Sequence, residues 1–488
     1  MTAVEIALYA LLLGPAAWLV WRRPVVSLYL FVVGLALHNA VMASLYAAGV
    51  RGSTLTLITA WKEILLAVAL ASVAAGALRA RELPFRFGLV DALALAFAAL
   101  VVVYAAIPQS ALGGLADHHA VALAARHDLV PVAAYFLGRS LRLDACHLSR
   151  LAWTLLGTAA FVAGLGLVDV YAVPIGWWRT NGVVDYFYKH LGYRYHGTGE
   201  NPSVAGLPEN FVYNVGGDKP FLRRLVSTFL SPLASSYLFV VALVGVAGLL
   251  RRHRRPALVL TAVVAAGLLW TFSRSALLAL AVGLVVLAAL RRRPVWAGVG
   301  VAVVAAAVAW AHVFPHIAPT GNWTKADLVY QHQLAAKASS GVSNAAASVN
   351  ESSLREHWQS LRDGIATIVH HPQGFGLGNV GQTASRTGTP LKAGESNYTE
   401  LGVELGLLGA LLWTAWALAL LWALVRAARD SRWAATVAAA FAAILVLAIQ
   451  TDVIGDPWVA YCVWILAGTF ALIGTGHKER LADARPAA

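Results

Sequence analysis

Charge is what this sequence has least of. Only 12% of its 488 residues are Asp, Glu, Lys or Arg, while 59% are hydrophobic. A soluble globular chain carries about 25% charged residues, so no water-facing surface can cover this one. Cysteine is equally scarce. Cys146 and Cys462 lie far apart, one in a basic loop and one in an apolar run. That excludes a disulfide framework and any cysteine-based metal spacing. No P-loop, no Gly-x-Ser-x-Gly elbow and no His-Glu-x-x-His motif occurs, which removes the common nucleotide, hydrolase and zinc-protease readings. No Asp-x-Asp lies in a loop of the outer set defined below, which argues against a diphosphate held through a metal. The net charge is +13, yet no basic patch is interleaved with aromatics, so nucleic acid is not an expected partner. No cleavable leader is evident, because the first apolar run is long enough to be a span.

Long apolar runs are what the chain does have. Runs of about 20 apolar residues each suit a membrane-crossing helix, and helices satisfy their own backbone inside lipid. The expected fold is an all-α polytopic membrane protein with about twelve to fourteen transmembrane helices. About thirteen candidate spans lie near residues 3–21, 25–47, 54–78, 88–107, 120–140, 151–173, 227–250, 257–273, 275–290, 295–314, 400–426, 434–451 and 457–475. These divide the chain into N-terminal helices (1–173), a first long loop (174–226), central helices (227–314), a large second loop (315–399), C-terminal helices (400–475) and a tail (476–488).

Loop charges suggest the orientation. The basic loops are Arg22-Arg23, Arg79 to Arg86, Arg139 to Arg150, Arg251 to Arg255, Arg291 to Arg293 and Arg426 to Arg432. They alternate with loops poor in cations, and the positive-inside rule assigns them to the cytoplasm. The C-terminal tail then falls inside and the N-terminus outside. Both long loops face out. In the second, Leu354, Trp358, Leu361, Ile365 and Ile368 recur at helical spacing. An amphipathic helix is expected there, ended by Pro372 and the turn "GFGLGNVG".

Cations on the outer side need a reason. Arg274, in "WTFSRSALLAL", stands between two apolar runs as their entire loop. Arg223 and Arg224 stand at the outer start of another span, and Arg355 and Arg362 on the amphipathic helix. Lys62 and Glu63 sit in a span, as does His38. Intramembrane charges face the bundle interior or a wet cavity. The plainer readings are snorkelling for Arg274, interfacial anchoring for Arg223 or Arg224, structural pairing for Lys62 with Glu63, and an interhelical hydrogen bond for His38. The functional reading is an anion at the membrane surface, and the planar fork of arginine suits phosphate. A lipid-linked diphosphate has its tail in the bilayer and its phosphates at the interface. Chemistry then takes a metal-free form. Arginines neutralise a leaving diphosphate, and a carboxylate or histidine takes a proton from an incoming hydroxyl. Glu395, beside Ser396, Asn397 and Tyr398 at the mouth of a span, is the best-placed carboxylate; His370 and His371 precede it, and His371 is a candidate helper. No metal or cofactor is called for.

Three segments resemble one family. "RLVSTFLSP" (224–232) has an outer Arg followed by a small residue, Phe and Pro. "TFSRSALLAL" (271–280) has Thr-x-Ser-Arg-small before a span. "HPQGFGLGNVG" (371–381), followed by "ESNYTELGVELGLLGALL" (395–412), has a Pro-x-Gly-x-Gly-x-Gly turn and a closing span rich in Glu and Gly. Their order and the long loop before the last spans are similar to those of the O-antigen ligase and Wzy-type polymerase superfamily, membrane glycosyltransferases of the GT-C kind. The resemblance covers residues 220–412. It implies an undecaprenyl-diphosphate-linked glycan as donor, an acceptor glycan, the bacterial inner membrane, and a site facing the periplasm or exterior. By motif match Arg224 and Arg274 would bind the diphosphate and Glu395 would act as base. Arg223, Arg355, His371, Lys62 and Tyr398 are further candidates for substrate contact. A flippase and a chain-length regulator are implied neighbours. Ligases of the family typically carry His-Asn where this chain has Glu395-Ser396, which favours polymerisation of repeat units. A ligase or protein O-oligosaccharyltransferase of the same fold is the alternative. A transporter of lipid-linked glycan is the alternative of another kind, but no internal repeat is seen and the charges cluster on one side.

Overall fold

The computed structural model describes residues 3–193, 207, 210–215, 219–249, 254–325, 327–329, 332, 352–392 and 394–471. The expected cytoplasmic tail and the Ala/Ser/Asn-rich part of the second loop lie outside these residues, as do residues 251–253 of one basic loop.

Each apolar run of the sequence contains a helix. In chain order these are α1 (Ala3–Arg22), α2 (Val25–Ala47), α3 (Gly52–Thr59), α4 (Trp61–Ala80), α5 (Leu89–Ala106), α6 (His118–Ser140), α7 (Ala145–Ala172), α8 (Pro232–Gly245), α9 (Arg254–Trp270), α10 (Arg274–Arg291), α11 (Pro294–Ile317), α12 (Ser352–His370), α13 (Asn397–Ala427), α14 (Arg432–Leu447) and α15 (Trp464–Phe470). Among the described residues, eight are long and apolar enough to cross a membrane. The apolar stretches Pro232–Gly248, Arg255–Trp270, Arg432–Leu447 and Val459–Phe470 are shorter. The chain is an all-α polytopic membrane protein. Its outward side chains are apolar along whole helices; on α11, Val295, Val301 and Val308 are all exposed. At 24 residues that helix is about 36 Å long, enough for a hydrocarbon core of about 30 Å.

Small residues bring the helices together. Lipid offers no hydrophobic incentive for helix pairing, so close backbone approach and packing supply it. A Cβ on Gly138 of α6 would lie 2.0 Å from the Ile465 carbonyl, and one on Gly468 would lie 2.3 Å from the Tyr135 carbonyl. The pair lets α6 and α15 touch backbone to backbone. Alongside, Phe97, Trp413, Trp416 and Trp464 pack as a buried aromatic cluster.

Two details depart from the sequence reading. The span near 54–78 is two helices, broken at Ala60, and Lys62 Nζ donates to the Thr59 carbonyl at the break (2.8 Å). Arg139, read as part of a basic loop, is the penultimate residue of α6 and buried. Its Nε donates to Asp91 Oδ1 (2.8 Å), and Tyr135 donates its hydroxyl to the same oxygen (2.7 Å). A buried cation needs such a partner.

A small antiparallel sheet ties the two long loops together. Phe221–Arg223 lies at its centre, between Val212–Tyr213 and Thr320–Gly321.

Candidate active site

The first two motif segments meet. Arg224 Nε donates to the Thr271 carbonyl (2.9 Å), and the Leu225 amide donates to the Trp270 carbonyl (2.9 Å). Thus "RLVSTFLSP" is laced onto the end of α9, immediately before Arg274. The connection between α9 and α10 is Thr271–Ser273, with Phe272 at φ +50°. Arg274 is therefore not the loop itself but the first residue of α10, half-buried. That corrects the sequence reading. The left-handed Phe272 turns the chain in three residues, so Arg274 is free to begin the helix. Beyond Arg224 the chain passes through a short 3-10 turn, Ser227–Phe229, into α8, where Ser231 caps and Pro232 occupies the first turn.

Arg223 points elsewhere. It is buried, its Nη1 donates to the Val173 carbonyl (2.5 Å), and its Nη2 lies 3.5 Å from Asp169 Oδ1. Burial pushes its guanidinium pKa down, and the Asp169 carboxylate opposes that. Asp169 also accepts from Trp178 Nε1 (2.6 Å). Of the two adjacent arginines, Arg223 is engaged in joining the first loop to α7.

The third segment builds the other wall. Gly374, Gly376, Gly378 and Gly381 all have positive φ, between +61° and +89°. Only glycine adopts that conformation without strain. A Cβ on Gly378 would also lie 2.8 Å from the Ala120 backbone. The turn docks where α13 breaks. Gly406, at φ +71°, interrupts the helix and leaves carbonyls without their intrahelical donors. The Phe375 and Gly376 amides donate to the Val403 and Glu404 carbonyls (2.8 and 2.9 Å), and the Leu407 amide to the Pro372 carbonyl (2.8 Å). Glu404 Oε1 accepts from the Gly378 amide (2.8 Å). Buried Asn379 accepts from the Leu115 and Ala116 amides through Oδ1.

Glu395 sits just before α13, whose N-cap is Ser396. Its Oε2 is 2.8 Å from His357 Nδ1 on α12, and its side chain is 55% exposed. His371 lies past the end of α12 with its ring 4.5 Å from that of Phe375. Arg355 is exposed on α12, and Arg362 lies over the Trp358 ring. His370 bonds the Ala366 carbonyl of its own helix. Tyr398 donates to the Leu445 carbonyl (3.3 Å). Lys62 is buried against Glu63 (3.5 Å), which Arg126 also reaches (3.6 Å). His38 accepts from Trp61 Nε1 (3.1 Å).

Beneath Glu395 lies a network that the sequence reading missed. His127 Nδ1 is 2.8 Å from Asp128 Oδ1, and its Nε2 is 3.0 Å from Asp452 Oδ2. Asp452 Oδ1 accepts from Asn397 Nδ2 (2.5 Å) and from the Gly455 amide (2.9 Å). Asn397 Oδ1 accepts from the Val453 amide (2.8 Å), and the Asn397 amide donates to the Ala448 carbonyl (3.0 Å). Glu400 is buried beside them, and one oxygen each from Glu400 and Asp452 and one nitrogen of His127 lie within 4.8 Å of one another. That trio has the donor types for a metal, but both nitrogens of His127 already face carboxylates. As built, the cluster fixes the first turn of α13 against α6 and the α14–α15 connection. The signal for it was "ARHDLVP", a charged triplet inside an apolar run.

Position along the packed helices joins these walls. Gly283 of α10 packs on Ala439 and Ala443 of α14. Arg274 is nine residues toward the other end, roughly 13 Å along the axis, on the side where α14 ends and Asp452 and Asn397 begin. The paired arginine segments, the glycine turn docked in a broken helix and the exposed carboxylate of Glu395 thus lie toward one end of the bundle.

Residues 257–414, about a third of the chain, match the family model of the O-antigen ligases, Wzy_C. The chain thus carries a domain of the O-antigen ligase and Wzy-type superfamily, and its function is of the ligase or polymerase type. No curated protein matches the chain.

Proposed function

We propose that the protein is a glycosyltransferase that polymerises repeat units of a surface polysaccharide, taking undecaprenyl-diphosphate-linked oligosaccharide on the extracytoplasmic face of the bacterial inner membrane. The observation that carries this reading is the lacing of the Arg224 segment to the residues before Arg274. Two cations of outer-loop character meet there, Arg274 inside the matched segment 257–414 and Arg224 ahead of it, on the side where α13 begins. The distribution of Lys and Arg among the loops supports the outward orientation.

The chemistry follows from these groups. A hydroxyl oxygen of the acceptor sugar attacks the anomeric carbon of the donor, forming the new glycosidic bond. The bond from that carbon to the diphosphate oxygen breaks, and the lipid diphosphate leaves with the electron pair. Arg224 and Arg274 neutralise its developing charge. Glu395 takes the hydroxyl proton, oriented by His357. The glycine turn and the His127 network hold the rim from which Glu395 projects. The chemistry needs no metal in this scheme. A flippase that delivers the donor and a regulator of chain length are the expected neighbours.

The matched family's description favours a second reading, ligation to a different acceptor. Glu395-Ser396, where ligases typically carry His-Asn, favours polymerisation. The test is turnover by the purified protein in lipid nanodiscs, supplied with a lipid-diphosphate-linked repeat unit. A ladder of lipid-linked products supports the polymerase. Single transfer to an added acceptor, with no ladder, supports the ligase. Movement of the lipid across vesicles with no glycosidic bond formed would sink both.

A further inference from the structure

His127 of α6 stands between two carboxylates, and a neutral imidazole has one proton for its two nitrogens. Its Nδ1 meets Asp128 Oδ1 at 2.8 Å, and its Nε2 meets Asp452 Oδ2 at 3.0 Å. With the proton on Nδ1, the Nε2 lone pair faces a carboxylate oxygen, and that contact repels unless something positive lies at it. A second proton would serve Asp452. It would leave Glu400, which is 4% exposed and whose Oε2 has no hydrogen-bond partner. Yet one oxygen of Glu400 lies within 4.8 Å of both an Asp452 oxygen and a His127 nitrogen. Asp128 Oδ2 is likewise buried without a partner. Among the described residues, no lysine or arginine forms an ion pair with any of these three carboxylates. Buried charges are stable when paired or when they hold a metal. One imidazolium against three carboxylates leaves the cluster short of positive charge.

The spacing suits an ion. A nitrogen and an oxygen ligand, each about 2.1 Å from one divalent ion and at right angles, stand about 3.0 Å apart. That is the Nε2–Oδ2 separation. The surrounding bonds are also those of a metal site. Asp128 takes the other ring N–H, which fixes the tautomer that turns the Nε2 lone pair toward the ion. Asn397 and the Gly455 amide both bond Asp452 Oδ1, which leaves Oδ2 for the ion. Glycine keeps the place clear. A Cβ on Gly455 would lie 2.1 Å from Asp452 Oδ2 and 3.2 Å from His127 Nε2. Gly455 has no left-handed φ, so space and not conformation calls for glycine there.

We propose that His127 Nε2, Asp452 Oδ2 and the Glu400 carboxylate bind a divalent transition-metal ion of the Mn²⁺ or Zn²⁺ type. One imidazole with two carboxylates suits those ions, whereas Mg²⁺ and Ca²⁺ favour oxygen alone. The ion joins α6, α13 and the α14–α15 connection beneath Glu395. It fastens that rim and takes no part in the transfer step. The inference holds whichever acceptor the protein uses.

The test uses the full chain in lipid nanodiscs, stripped with EDTA and titrated with Mn²⁺. The paramagnetic resonance signal of free Mn²⁺ should show one ion taken up per chain, and Zn²⁺ should displace it. The bound ion should show coupling to a nitrogen nucleus, lost in His127→Gln. Glu400→Gln should weaken Mn²⁺ binding at least ~10-fold, and Asp128→Asn, which leaves the three ligands in place, about 10–100-fold. Mn²⁺ should raise the thermal midpoint of wild type and not that of Glu400→Gln. Without metal, Glu400→Gln should match or exceed wild type in midpoint, which shows that its lost binding is not misfolding. No uptake above that of empty nanodiscs would overturn the site and leave His127 as an imidazolium between two carboxylates. So would uptake unchanged in Glu400→Gln, or a bound ion without nitrogen coupling, since either would put the ion elsewhere.

Discussion

Two histidine–carboxylate pairs in this protein have nearly the same geometry and opposite surroundings. His357 and Glu395 meet at 2.8 Å with side chains 30% and 55% exposed. His127 and Asp452 meet at 3.0 Å with side chains 14% and 6% exposed. The exposed carboxylate keeps more than half of its surface open, so a hydroxyl can approach it. The buried carboxylate is saturated by Asn397, the Gly455 amide and His127. A group that must take a proton from a substrate needs an accessible oxygen; a group that fixes backbone needs all of them occupied. Distance alone does not separate the two roles, but burial and partner count do.

The largest effects should come from the exposed side of the comparison. Glu395→Gln keeps the shape and removes the proposed base, so turnover should fall on the order of 10²–10⁴-fold, with the thermal midpoint close to that of wild type. Arg274→Ala should cost turnover about 10²–10³-fold, the usual effect of losing a group that stabilises developing charge. A rate near wild type in either variant would remove that residue from the chemistry.

The buried pair should break differently. Asp452→Ala leaves His127, Asn397 and the Gly455 amide without their acceptor. Loss of one partner from a buried charged network costs about 3–5 kcal/mol, to be measured as thermal unfolding in detergent. An unchanged midpoint would mean that α13 is held by apolar packing alone. Gly378→Ala sharpens the same point, since strain at φ +80° costs on the order of 1–3 kcal/mol before the Ala120 contact is counted. Its thermal midpoint should fall while Gly113→Ala, at φ +78° but with only Phe375 ring atoms near, should cost less. His357→Ala should be the mildest, at roughly 0–1 kcal/mol in stability, with a turnover loss smaller than that of Glu395→Gln.

The fold was legible because hydropathy reads directly on a chain that must bury its backbone in lipid. The amphipathic helix Ser352–His370 was legible for the same reason, from Trp358, Ile365 and Ile368 at helical spacing. The bonding between the Arg224 and Arg274 segments was not, because they lie 50 positions apart and meet through main-chain carbonyls, which carry no sequence signal. In sequence only the motif match separated Arg224 from Arg223; in the structure Arg223, the last residue of the central strand, turns inward to Asp169, while Arg224 bonds the Thr271 carbonyl. The His127 network draws on α6, α13 and the α14–α15 connection, so only tertiary structure unites it. Gly406 looked like any glycine in a membrane helix, yet its left-handed φ is what opens α13 to the turn.

Repeat-unit turnover by Glu395→Gln and Asp452→Asn, each normalised to folded protein by its thermal midpoint, sets the exposed carboxylate against the buried one. Glu395→Gln should be folded and nearly inactive, while Asp452→Asn should be destabilised but retain turnover per folded molecule within about tenfold, the residual effect of a displaced rim. The reverse pattern, an active Glu395→Gln and a stable but dead Asp452→Asn, would place the base in the buried network and contradict the assignment of Glu395.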